Sequence, residues 1–179
     1  MSSGRSGAPL AKVEALPKTG KVRINRDVAD GTCSFKEVFS GFERLDAVKE
    51  VFGSETDSIL SNLKVDLNSP RGYMRIDPEL GRVVVSPAYL RSGEERHLYL
   101  DVIHELVHIR QLREGKELYD RRYPYFERPT EVEAYEVAIK EAKRIGMTDR
   151  EIVEYLRVEW VTEDEFQKFV RALRLGSTK

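Results

Sequence analysis

The stretch Leu98 to Ile109, Leu-Tyr-Leu-Asp-Val-Ile-His-Glu-Leu-Val-His-Ile, is apolar on nearly every side yet carries Asp101, His104, Glu105 and His108. Its periodicity predicts a helix over residues 93–114, with Ser92 and Glu95 as a capping box at its start and Gly115 as its stop. A helix that is apolar all round belongs inside a domain, and buried polar groups need partners. At roughly 100° per residue, His97, Asp101, His104, His108 and Gln111 share one face, with Glu105 on the flank. His104-Glu105-Leu106-Val107-His108 is therefore an H-E-x-x-H pattern whose two imidazoles lie one turn apart, as a shared divalent metal requires.

Two histidines leave a catalytic metal one protein ligand short. The segment Pro129-Thr130-Glu131-Val132-Glu133-Ala134-Tyr135-Glu136 offers three carboxylates, and helical phase chooses among them. Thr130 with Glu133 reads as a second capping box, opening a helix predicted over 131–145 and stopped by Gly146. On it Glu131 heads the inward face of Ala134, Tyr135, Ala138, Ala142 and Ile145, whereas Glu133 and Glu136 share the outer side with Lys140 and Lys143. Glu131 is the expected third ligand, and the alanines let this helix approach the H-E-x-x-H helix closely. Tyr135 and Asp101 are candidates for orienting a histidine ligand. A fourth ligand that closes the metal's coordination sphere is to be sought at Cys33 or His97.

The rest of the chain arranges itself around these two helices. Residues 1–20, rich in Ser, Gly, Ala and Lys, read as a flexible tail, and 21–179 as one domain. A helical pair is predicted over 34–53, broken near Ser40-Gly41, then a short helix over 55–63. An antiparallel sheet is expected over 63–86, including a hairpin of Tyr73–Asp77 and Arg82–Ser86 around Pro78-Glu79-Leu80-Gly81. Val83 to Val85 is read either as a core strand or as an exposed edge that an extended peptide joins. The long connection from Lys116 to Arg128 carries Tyr119, Tyr123 and Tyr125, of which Tyr123 is singled out as a hydrogen-bond donor to an oxyanion. Thr148 and Thr162 cap two C-terminal helices within 149–174, with Trp160 and Val161 filling the core between them. The fold class is α+β, a small antiparallel sheet packed on a helical domain.

Charge narrows the partners. With 30 basic and 31 acidic residues the net charge is -1, so nucleic acid is not indicated. No apolar run approaches the roughly 18 residues of a membrane span, and Met1 to Pro9 lacks the apolar centre of a signal peptide. The lone Cys33 forms no internal disulfide, so a reducing, cytoplasmic setting is expected.

The two-part pattern, His104-Glu105-Leu106-Val107-His108 and then Glu131-x-x-Ala134 beginning 23 residues after His108, resembles the gluzincin group of zinc metallopeptidases. Its small single-domain members, the minigluzincins, and the ImmA/IrrE-type proteases are the most similar. The resemblance covers residues 82–135. It implies a zincin-like fold, zinc (Zn2+) held by His104, His108 and Glu131, Glu105 as general base, and a substrate strand along an edge near Val83 to Ser86. Two departures stand out: Tyr135 replaces the aspartate that many gluzincins carry four residues after the glutamate ligand, and no helix-turn-helix partner domain is evident. The activity expected is metal-dependent hydrolysis of a peptide or protein substrate. The rivals are a regulatory or interaction protein with a structural zinc or latent site, and a hydrolase of non-peptide substrates.

Overall fold

The structure, a computed structural model, describes residues 22–175, so the tail expected over 1–20 lies outside the described residues. In chain order the elements are β1 (Arg23–Ile24), β2 (Thr32–Ser34), α1 (Phe35–Val38), β3 (Phe39–Ser40), α2 (Asp46–Phe52), α3 (Thr56–Asn62), β4 (Lys64–Asp66), β5 (Met74–Asp77) and β6 (Arg82–Val85). Five helices follow: α4 (Pro87–Ser92), α5 (Glu95–Arg113), α6 (Pro129–Arg144), α7 (Asp149–Tyr155) and α8 (Glu163–Ala172). The class is α+β. One apolar cluster of buried side chains runs through the described residues from Phe35 to Leu175.

The sheet departs from the antiparallel expectation. Its order is β2-β4-β6-β5, and β4 runs parallel to β6 while the other pairs are antiparallel; β1 and β3 form a separate antiparallel pair. The hairpin of β5 and β6 forms as expected, but β6 inserts beside β4, leaving β5 outside. The exposed edge expected near Val83 to Ser86 is therefore corrected to β5, and Val83, Val84 and Val85 are buried. A three-valine run with no polar alternation suits a strand covered on both faces.

The helical pair expected over 34–53 is split further, into α1, β3, a single turn at Phe42–Arg44 and α2. Gly41, at φ 91°, makes the break. Phe35, Phe39 and Phe42 then form a triangle with ring centroids 5.3, 6.1 and 6.0 Å apart, and Phe42 packs on Tyr99 of α5 at 5.6 Å. Every residue of α5 from Leu98 to Ile109 except Asp101 is buried. It packs on α6, α2 and β5, with α6 the largest of these contacts. Ala134, Ala138 and Ala142 are fully buried on α6. Deeper along the same pair of helices, the Tyr99 hydroxyl donates to the buried Glu141 carboxylate, which also accepts from Arg144.

Two of the expected caps fail for identifiable reasons. Ser92 ends α4, its hydroxyl donating to the Ala88 carbonyl at 2.8 Å, and the Glu94 carboxylate caps α5 through the His97 N–H at 2.8 Å. Gly93 separates the two helices because a Cβ there would lie 2.7 Å from both the Tyr89 ring and the Tyr89 carbonyl. Pro129 opens α6 at a position that needs no N–H, so Thr130 is freed to bond the Leu118 carbonyl at 3.2 Å. The caps at Thr148 and Thr162 form as expected, each a full box with Glu151 or Glu165. Helix α7 stops at Tyr155, and Trp160, expected in the core, is 56 % exposed.

Truncating Phe42→Ala removes the ring that joins the N-terminal triangle to α5. A loss of about 3–5 kcal/mol is expected in urea unfolding, against about 1 kcal/mol for the cap variant Thr162→Ala.

Candidate metal centre

Helix α5 places His104 and His108 one turn apart, and α6 brings Glu131 across to them. His104 Nε2 and His108 Nε2 lie 3.0 Å apart, and Glu131 Oε2 lies 3.2 Å from the first and 3.5 Å from the second. All three side chains are buried. A tetrahedral ion with bonds of about 2.0–2.1 Å holds its donors about 3.3 Å from one another, so the triangle has the size of one face of such a tetrahedron. Glu131 Oε2 has no hydrogen bond of acceptable geometry, as expected of an atom whose partner is an ion rather than a proton. The donor set fits a divalent metal, and among the described residues it is the one group of three such ligands.

The tautomer of His108 follows from its neighbours. Gln111 Nε2 donates to the Thr130 carbonyl at 3.0 Å and to Glu133 Oε2 at 2.7 Å, both acceptors only. The Gln111 oxygen must then face His108 Nδ1, 2.7 Å away, and accept its proton. That leaves the His108 Nε2 lone pair aimed at the triangle when the ring is neutral. Glu133, expected to face water, is instead held by Arg110 at 2.6 Å and by Gln111, which outweigh burial and bring its carboxyl down to about 2. Gln111 was legible as part of the polar face, but its role was missed because the Glu133 that fixes it comes from another helix.

Asp101 does not orient a histidine. It accepts from the Tyr89 hydroxyl at 2.5 Å. The Tyr135 ring lies against the His104 ring at 4.4 Å between centroids, and its hydroxyl pairs with that of Tyr125 at 3.0 Å. The fourth ligands considered are not gathered either: Cys33 lies in β2, and His97 packs at a tilt against Tyr155, 5.4 Å between ring centroids, and lies 3.8 Å from Glu94. Tyr123 is 43 % exposed and does not line the cleft, whereas Tyr119 and Tyr125 do.

Electrostatics at the three side chains are set by burial and by Glu131. Burial pushes the Glu105 carboxyl up to about 8 and lowers the His104 ring. For His108 burial is outweighed by the attraction of the nearby Glu131 and Glu105 carboxylates, so its pKa rises to about 9. Burial opposes ionisation of Glu131 as well, but His104 and His108 hold it well below the usual carboxylate range.

A cleft of about 470 Å³ opens over the triangle, lined by His104, Glu105, His108 and Glu131 and by Tyr73, Met74 and Arg75 at β5. The Ser86 N–H donates to the Tyr73 carbonyl at 3.0 Å, which fixes the alternation along β5. Backbone groups of Tyr73 and Arg75 face β6, and those of Met74 and Ile76 face outward. The Tyr119 hydroxyl occupies the outward Ile76 carbonyl at 2.5 Å, so the Met74 N–H and C=O are the pair left at the cleft.

A scan against protein-family models and searches of curated proteins and of solved structures find no match to this chain. No helix among the described residues is long and apolar enough to cross a membrane.

Two outcomes follow for metal binding, read by competition with a chromophoric chelator. Gln111→Leu should lower affinity about 10–100-fold, because the His108 ring loses its anchor. Ligands bind deprotonated, and His108 holds its proton up to about pH 9 in the metal-free protein. Apparent affinity should therefore rise at least tenfold per pH unit from pH 7 and level off above about pH 9, with more than one proton released per metal in calorimetry near neutrality, because the Glu105 carboxyl, at about 8, is also lowered by the ion.

Proposed function

We propose that this chain is a zinc-dependent peptide hydrolase of the gluzincin type, with a zincin-like arrangement of sheet and helices. The supporting observation is the convergence of His104, His108 and Glu131 into one triangle beside Glu105, under the outer strand β5, whose Met74 N–H and C=O make no hydrogen bond among the described residues. Three protein ligands of the His2Glu kind, without a fourth among the described residues, are the donor set of catalytic rather than structural zinc. That composition counts against the regulatory reading, in which Cys33 or His97 closes the coordination sphere.

His104, His108 and Glu131 would hold the ion. When bound, zinc supplies Lewis acidity, which lowers the pKa of water from 15.7 towards about 7 and polarises a carbonyl oxygen. Glu105 lines the cleft next to the ligands with its Oε2 free of hydrogen bonds. It takes the proton of the attacking water and returns it to the leaving amine. Its pKa of about 8 comes from burial, and beside a divalent cation held by the three ligands the carboxyl would fall into the range where a base works at neutral pH. The Tyr135 ring keeps the His104 face dry. Tyr125, lining the cleft with its hydroxyl held by Tyr135, is better placed than Tyr123 to donate to an oxyanion.

An extended substrate suits this cleft better than a compact one. Met74 offers an outward N–H and C=O in strand geometry, so a peptide can add to β5 by two main-chain hydrogen bonds. Tyr119 blocks the next carbonyl and limits how far along β5 that pairing extends.

Glu105→Gln is the decisive variant. It should bind one zinc per chain with affinity within a few-fold of the wild type and lose about 10²–10⁴-fold in kcat on a cleavable peptide library. Full metal content with undiminished cleavage would remove Glu105 from the mechanism; wild-type protein loaded with zinc and inert on the library would overturn the peptidase reading.

A further inference from the structure

A second cavity, of about 250 Å³, opens beside His104 and Glu105, and the Trp160 ring borders both it and the Glu131 side of the cleft. Its size falls just below that of sites for whole ligands, so it suits one side chain or one end group. The walls are aromatic: Tyr73 meets Tyr89 at 5.0 Å and Trp160 at 5.9 Å between centroids, and Tyr125 closes on Trp160 at 5.7 Å. Within them lies the carboxylate of Asp101, whose neighbours are the hydroxyls of Tyr89 and Tyr155. The Tyr155 side chain is only 8 % exposed, yet its hydroxyl closes no hydrogen bond of good geometry.

The charge here is uncompensated. Burial pushes Asp101 up to about 6 against the pull of both hydroxyls, and among the described residues it makes no ion pair. Glu154 adds a second carboxylate to the lining. Arg157 also borders the cavity but is committed elsewhere, to Glu163 at 2.6 Å and to the face of Phe166 at 4.4 Å. His97, also at the wall, is kept neutral at pH 7 by burial. A partly buried acid ringed by tyrosine and tryptophan faces is the arrangement that receives an organic cation, through an ion pair below and cation–π contact around it.

We infer that this cavity is the subsite for a cationic group of the peptide, a guanidinium or an ammonium, with Asp101 as its counter-ion and Tyr73, Tyr89 and Trp160 as its walls. The inference rests on the peptidase reading for the word peptide, not for the cation. Because the cavity adjoins Glu105, its occupant belongs to a residue flanking the scissile bond, as a lysine or arginine side chain or as the free α-amino group of a chain cut near its start.

Trp160 is the single tryptophan of the chain, so its fluorescence reports on the cavity directly. Titration of the metal-free protein with N-acetylarginine amide should give a saturable change. N-acetylcitrulline amide, the same shape without the charge, should bind at least tenfold more weakly, and Asp101→Asn should weaken the arginine probe by at least tenfold. Alaninamide separates the two sources: saturable binding of it but not of N-acetylarginine amide assigns the cavity to a free α-amino group. Equal binding of the arginine and citrulline probes to the wild type, or no saturable change with any cation, overturns the inference even where the variant does not fold. Cleavage of a peptide library by zinc-loaded protein with no preference for Lys, Arg or a free amino group beside the cut also overturns it and leaves the peptidase reading standing. Asp101-dependent binding in a protein that cleaves nothing upholds the cation site and sinks the peptidase reading instead.

Discussion

Three electron-rich atoms, two imidazole nitrogens and a carboxylate oxygen, sit within 3.5 Å of one another where water has little access. Lone pairs so close repel, and a buried carboxylate costs several kcal/mol when nothing compensates it. A single proton on His108 relieves one or two sides of the triangle, and that is why its pKa rises while the His104 ring stays neutral. A divalent ion relieves all three sides at once. The fold maintains an arrangement that is poor without a cation, and the remaining structure can be understood as what holds it together.

Rigidity comes from both ends of α5. The phenylalanine triangle grips Tyr99 on one side, and the Tyr99 hydroxyl continues through Glu141 to Arg144, locking α5 to α6 well away from the candidate metal ligands. Alanines at 134, 138 and 142 let the helices close until Glu131 reaches the histidines. Gln111 and Glu133 form the second tie, at the other end of the same interface, and it bears on the ligand itself by fixing the His108 ring. Two ties bracket the site along one helix pair, so neither helix slides without breaking a buried polar contact.

The parts of the fold that were legible in the sequence were those governed by local periodicity. The phase of α5, the inward face of α6, the β5–β6 hairpin and the threonine caps of α7 and α8 each follow from residues a few positions apart. What was not legible depended on partners distant in sequence. The parallel pairing of β4 with β6 skips a strand, Thr130 is claimed by Leu118, and Glu133 by Arg110 and Gln111. Trp160 was misplaced for a similar reason: in a segment rich in apolar residues an indole reads as core, and only the positions of Tyr73 and Tyr125 turn it towards the cleft.

That placement gives the cleft a polarity of charge. On the side of His108 and Glu131 the lining includes Arg75 and Arg128, while beyond Trp160 it includes Asp101 and Glu154. His104 and Glu105 belong to both halves, so on the proposed peptidase reading a bond reacting at Glu105 would lie between a cationic and an anionic end. Main-chain pairing with β5 at Met74 alone does not choose between the two directions in which an extended chain can lie. Opposite charges at the two ends do choose, because the wrong direction sets like charges against each other at a cost that grows as water leaves. On that reading the strand edge would supply reach and the flanking charges direction, and neither would need to be strong for the two together to select one register.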